Sequence, residues 1–200
     1  MENKRISVVL VVHDQAALVE QNLPQFLTVA SEADAEVIVV DDMSTDDTPD
    51  VLQRLRIEHE QLYTTFLPQS VVLNPSRLRL ALNVGVKAAK GEYVVIADIH
   101  RPPISTEWLT GLADGEASLV YSSRKGDSVT HVVASSLEDL RGKILKTERK
   151  GDRERHSQWL KRWRGMYDAV SIRRERAIDL VRLFDQPVNS WGRAGLRIKG

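Results

Sequence analysis

The feature that most constrains the fold of this 200-residue chain is an alternation of short, β-branched apolar runs with segments of helical spacing. Ile6–Val12 reads Ile-Ser-Val-Val-Leu-Val-Val, and residues 36–40 (Glu-Val-Ile-Val-Val) and 92–97 (Glu-Tyr-Val-Val-Ile-Ala) repeat the pattern. Nearly continuous runs of this kind are expected of strands covered on both faces, because a half-exposed strand alternates polar with apolar residues. Between them, residues 16–30 carry Leu18, Leu23, Phe26 and Leu27, residues 50–60 carry Val51, Leu52, Leu55 and Ile57, and residues 76–90 carry Leu78, Leu82, Val86 and Ala89, all at helical spacings. Pro24 predicts a kink or break in the first of these helices, and residues 71–73 are expected to form a short third strand. The alternation predicts an α/β fold with a doubly wound, mostly parallel sheet flanked by helices, whose ligands sit outside the carboxyl ends of the strands.

Further along, a helix is expected at 107–112, strands at 117–122, 129–134 and 167–172, a turn at 124–127, and a last helix at 177–184. Residues 137–164 are charged and helix-prone, interrupted at Gly142 and Gly151. Length and a hydrophobic content of 42% suit one domain over residues 1–200, with no repeat or linker to divide it. The chain has no cysteine, which excludes disulfides and zinc-thiolate sites and points to a reducing compartment. Ile6–Val12 is too short for a secretory signal and runs into His13-Asp14, so it reads as a first strand. No apolar run approaches the roughly 18 residues that cross a bilayer.

Zero net charge conceals an asymmetry, since residues 1–140 carry 11 Lys/Arg against 21 Asp/Glu and residues 141–176 carry 13 against 5. Within the basic stretch, Trp159 and Trp163 lie one helical turn apart among Lys161, Arg162 and Arg164. Two readings follow: peripheral contact of 141–176 with an anionic membrane, or a solvated charged helix with its tryptophans packed on the domain. Nucleic-acid binding ranks below both because no recognised motif accompanies the charge. A generic dinucleotide or phosphate-loop protein is also disfavoured, because no Gly-X-Gly-X-X-Gly or phosphate-loop lysine follows a strand.

The sheet logic brings three polar loops to one edge: His13-Asp14, Asp41-Asp42 and Asp98-Ile99-His100. A carboxylate at the end of the second strand, Asp41 or Asp42, suits hydrogen bonding to a nucleobase or ribose. The loop 41–49 also reads as a helix-capping cluster, so Asp46 or Asp47 is expected to be structural and Asp42 functional. Asp98 and His100 are two apart and face one way if the strand geometry persists. Carboxylate plus imidazole can anchor Mn²⁺ or Mg²⁺ when diphosphate oxygens and water complete the set, and the imidazole favours Mn²⁺.

Taken together, Val8-Val9-Leu10-Val11-Val12-His13-Asp14, Glu36-Val37-Ile38-Val39-Val40-Asp41-Asp42-Met43-Ser44-Thr45-Asp46, residues 81–93 from Ala81-Leu82-Asn83-Val84-Gly85 to Gly91-Glu92-Tyr93, and Asp98-Ile99-His100 resemble the successive blocks of family 2 glycosyltransferases with the GT-A fold, over roughly residues 5–112. The resemblance implies a nucleotide-diphospho-sugar donor and a hydroxyl acceptor, with inversion at the anomeric carbon, as in cell-surface polysaccharide or glycolipid synthesis. It implies that Asp42 contacts the base, that His13 and Asp14 lie beside the nucleotide, that Asn83 and Gly85 line the site, and that Asp98 and His100 stand at the first and third positions of the Asp-X-Asp metal motif. It also implies a nucleotide-sugar half, residues 1–112, and a short, basic acceptor-side half, residues 113–200, working in the cytoplasm or at the inner face of the membrane.

Two departures from the family pattern stand out. His100 replaces the usual acid, and Asn189-Ser190-Trp191-Gly192 occupies the neighbourhood of the late Glu-Asp pair that supplies a general base. Asp185 is the nearest carboxylate and suits a loop or cap, so no catalytic base is assigned. The competing expectation is a catalytically degenerate GT-A domain that binds nucleotide or serves as an interaction module.

Overall fold

The computed structural model describes residues 6–67, 77–111, 116–123, 128–147 and 168–184. Among the described residues, seven strands form one sheet in the order β3-β2-β1-β4-β7-β5-β6. They are β1 (Ile6–Val12), β2 (Glu36–Asp41), β3 (Leu62–Phe66), β4 (Tyr93–Ala97), β5 (Ala117–Ser122), β6 (Val129–Ala134) and β7 (Ala169–Arg173). The helices among the described residues are α1 (Ala16–Glu32), α2 (Thr48–Glu58), α3 (Arg77–Ala88), the single turn α4 (Glu107–Thr110), α5 (Leu137–Thr147) and α6 (Arg174–Phe184).

β1 to β4 are parallel, whereas β7 runs antiparallel to both β4 and β5, and β6 antiparallel to β5. Five of these strands therefore share one direction, and β7, the last of the described strands, is inserted beside β4. The alternating side chains of the strands feed two cores. On one face Val8, Leu10, Val12, Val37 and Val39 pack with Leu23 and Phe26 of α1, Leu52 of α2 and Trp108 of α4. On the other, Val9, Ile38, Val40, Val94 and Ile96 pack with Leu82 and Val86 of α3, Leu140 of α5 and Leu180 of α6. Double-sided burial is why these strands are apolar almost without interruption.

Three local expectations are corrected. Pro24 lies inside a helix that does not break, because Val19, Leu23, Phe26, Leu27 and Ala30 bury a whole face of α1 and outweigh the one backbone bond that proline removes. Gly142 lies within α5 and does not interrupt it. The third strand in chain order is Leu62–Phe66, an edge strand with one buried residue, Leu62, and exposed Tyr63 and Phe66, so it shows no apolar run. The strand expected at 71–73, the turn at 124–127, Gly151, Trp159, Trp163, Asp185 and residues 189–192 lie outside the described residues.

Candidate active site

The carboxyl ends of β1, β2 and β4 meet at one edge. After β1 the chain enters the left-handed region at Asp14 (φ 48°), and after β2 it does so again at Met43 (φ 60°), conformations that cost about 1–2 kcal/mol for a residue with a Cβ. Hydrogen bonds between the two loops hold these conformations. The Asp14 N–H donates to Ser44 Oγ at 2.9 Å, and Asp14 Oδ1 accepts from the Thr45 N–H at 2.6 Å and the Asp46 N–H at 3.4 Å. The Thr45 amide above all holds the Asp14 carboxyl below its ordinary value, aided by the Asp46 amide and the neighbouring His13.

Asp46 braces both helix starts on this side, accepting from the Ala16 N–H and the Thr48 N–H, each at 3.0 Å. It is the structural acid expected of the cluster; Asp47, the residue before α2, makes no side-chain capping bond. Asp41 is buried, and its Oδ1 accepts from the Ser44 N–H at 2.9 Å. Asp14 and Asp41 thus shape the edge, each with a carboxylate oxygen tied to loop amides.

His13 Nδ1 lies 2.7 Å from the Asp42 carbonyl. A carbonyl only accepts, so Nδ1 carries the hydrogen, and Nε2 lies 3.5 Å from Asp14 Oδ2. The Asp42 side chain meets Arg77 at the start of α3: Nε donates to Oδ1 at 3.1 Å and Nη2 donates to the same oxygen. That bond is the first cause of the raised Arg77 pKa. Sequence reading passed over Arg77, yet a cation in the first turn of a helix opposes the macrodipole, and so signals an anionic partner. Asn83 is half-buried within α3, about 9 Å further along the axis than Arg77. Gly85 faces the sheet, where a Cβ would stand 2.5 Å from Val9 Cγ1; its role is close packing of α3 on β1.

Beyond β4, Asp98 is buried and begins a turn closed by Arg101 N–H donating to the Asp98 carbonyl at 2.9 Å. Asp98 Oδ1 accepts from the His100 N–H at 3.1 Å and lies 2.8 Å from His100 Nδ1. The carboxylate is an acceptor, so Nδ1 carries the hydrogen and Nε2 faces the edge, where Gln15 Nε2 stands 3.4 Å away. The His100 side chain is 45% exposed. A carboxylate on Nδ1 that leaves Nε2 open is the arrangement that orients imidazoles towards cations. Among the described residues no third His, Cys, Asp or Glu joins such a group. In this arrangement His100 Nε2 is the atom open to a divalent ion, with Asp98 orienting the ring through Nδ1 and the remaining positions left to ligand oxygens and water.

A continuous, mostly parallel sheet flanked by helices, with three polar loops at the carboxyl edge of its parallel half, is an α/β architecture of the GT-A class. The family model described as Glycosyl transferase family 2 matches residues 7–113, more than half of the chain, and the chain belongs to that family. Among solved structures, the chain is similar to the mannosyltransferase PcManGT from Pyrobaculum calidifontis, in complex with GDP-Man and Mn²⁺, at TM-score 0.55 and 22% identity over 93% of this chain and 48% of that one. TarS residues 1–349 from S. aureus gives TM-score 0.50 and 23% identity, covering 63% of this chain and 38% of that one. A mycobacterial protein gives 0.51 and 17%, covering 86% and 54%. The chain thus spans about half the length, or less, of these proteins. No helix among the described residues is long and apolar enough to cross a membrane.

Proposed function

We propose that the chain is a glycosyltransferase domain that takes a nucleotide-diphospho-sugar donor at the edge of β1, β2 and β4 and transfers the sugar to a hydroxyl acceptor. The observation that carries this reading is the meeting of the loops: His13 of the first touches Asp42 of the second at 2.7 Å, and Gln15 of the first stands 3.4 Å from His100 of the third. Asp42, steadied by Arg77, serves the base; His13, Asp14, Asp41 and Asn83 frame the nucleotide; Asp98 and His100 serve the diphosphate together with Mn²⁺ or Mg²⁺. When bound, such an ion neutralises charge developing on the departing diphosphate. The mannosyltransferase of similar fold, solved with GDP-Man and Mn²⁺, supports this ligand class.

In the same reading, residues 1–112 form the donor side and 113–200 the acceptor side, with the basic stretch 141–176, apart from the buried strand β7 within it, approaching an anionic membrane and a lipid-linked hydroxyl acceptor on the cytoplasmic side. The Asp42 to Arg77 contact favours a second reading, a degenerate module that binds nucleotide without transfer, because an ion pair already engages the base-reading acid. The test is turnover of UDP- and GDP-sugars with Mn²⁺, including hydrolysis by water. The transferase reading expects turnover that Asp98→Ala lowers by at least about a hundredfold; nucleotide binding with no turnover of any donor supports the module.

A further inference from the structure

The turn that carries Asp98 and His100 is held from both sides. On one side, Asn22 of α1 donates from Nδ2 to the Ile99 carbonyl at 2.8 Å, and the Ile99 side chain is buried in the core. On the other, Arg101 donates from Nη1 to Asp168 Oδ1 at 3.0 Å. Asp168 stands immediately before β7, and its side chain is only 9% exposed. Its other oxygen, Oδ2, accepts from the Ser122 N–H at the end of β5 at 2.5 Å, and its own N–H donates to the Val120 carbonyl at 2.8 Å. One buried carboxylate thus joins three separate pieces of chain: the end of β5, the start of β7 and the turn after β4.

We infer that Asp168 is a positioning residue for the candidate donor site: through Arg101 it fixes the turn 98–101 in the form that sets His100 Nδ1 on Asp98 and leaves His100 Nε2 facing Gln15. The chemistry of the pair supports this. Arg101 follows His100 directly, and its N–H closes the turn on the Asp98 carbonyl, so its side chain cannot shift far without moving the imidazole. A guanidinium is an apt partner because its planar fork keeps direction as well as charge. A buried carboxylate accepting from both a guanidinium N–H and a strand-end amide has little freedom to follow a moving turn. Asp168 and Arg101 act through His100 and Asp98 and are not themselves assigned to substrate. The role bears on catalysis through the transferase reading, but the positioning itself is measurable without any ligand.

The test uses the whole chain and follows the side-chain nitrogen resonances of its five histidines, His13, His59, His100, His131 and His156. In the parent, His100 is expected to show the tautomer with hydrogen on Nδ1. In Asp168→Asn, and separately in Arg101→Met, the His100 signals are expected to move towards those of a freely exchanging imidazole while His59 and His131 keep theirs. The double variant is expected to add nothing to either single one. The inference is overturned if His100 is unchanged in both variants, or if all the described histidines shift together, the mark of general loosening. The second readout is the affinity of UDP and GDP with Mn²⁺, which positioning expects Asp168→Asn to lower by about tenfold, the metal-free affinity staying the same. Loss of both affinities in proportion to a fall in melting temperature also overturns it. A parent that shows the locked imidazole and its release by Asp168→Asn, but binds no nucleotide, refutes the functional reading and leaves the positioning standing.

Discussion

Asp14 and Asp46 show how single carboxylates decide the shape of the edge. Both have their carboxyl held below the ordinary 3.8, Asp14 chiefly by the Thr45 amide and Asp46 chiefly by the Thr48 hydroxyl. A group whose folded pKa is lowered stabilises the fold above its unfolded value, and that contribution is lost as pH falls through the folded value. Asp14→Asn is therefore expected to be less stable than the parent at about pH 7, and the gap is expected to narrow only as pH falls below 3.8 and through the lowered folded value. Denaturant unfolding over a pH series from neutral into acid measures it; a gap of constant size would assign the effect to shape alone. Asp98 and His100 were legible in the sequence because an apolar run ended on them. Arg77 and Asp168 were not, because their partners lie 35 and 67 residues away in the chain, and only the fold brings such groups together.

At the scale of elements, two glycines in helices make opposite predictions. In α3 a Cβ at Gly85 would meet Val9 Cγ1 at 2.5 Å and Val40 Cγ2 at 3.2 Å, so Gly85→Ala is expected to cost about 1–3 kcal/mol by overpacking α3 against β1 and β2. In α5 nothing stands within 4 Å of a Cβ at Gly142, so Gly142→Ala is expected to stabilise by about 0.5–1 kcal/mol through backbone entropy. Urea unfolding of the two variants checks both signs. β1, β2 and β4 were readable because burial on two faces leaves continuous apolar runs, and α1 was readable from its apolar face although Pro24 suggested a break. β3 was not, because an edge strand with Tyr63 and Phe66 exposed buries too little to leave a run.

At the scale of the molecule, β7 returns beside β4, so the sheet continues without a seam from the candidate donor edge to β5 and β6. The α/β class and the placement of the loops followed from the alternation of strands and helices. The antiparallel insertion of β7 did not, because a buried strand has the same composition whichever way it runs. The central claim is that the edge formed by β1, β2 and β4 binds a nucleoside diphosphate with a divalent ion anchored by Asp98 and His100. Calorimetric titration of UDP and GDP into the parent and into Asp98→Ala, with and without Mn²⁺, tests it most directly. Affinity that Mn²⁺ raises in the parent by about tenfold or more, and does not raise in Asp98→Ala, is the predicted result. An equal effect of Mn²⁺ on both proteins, or no nucleotide binding by the parent, would contradict it.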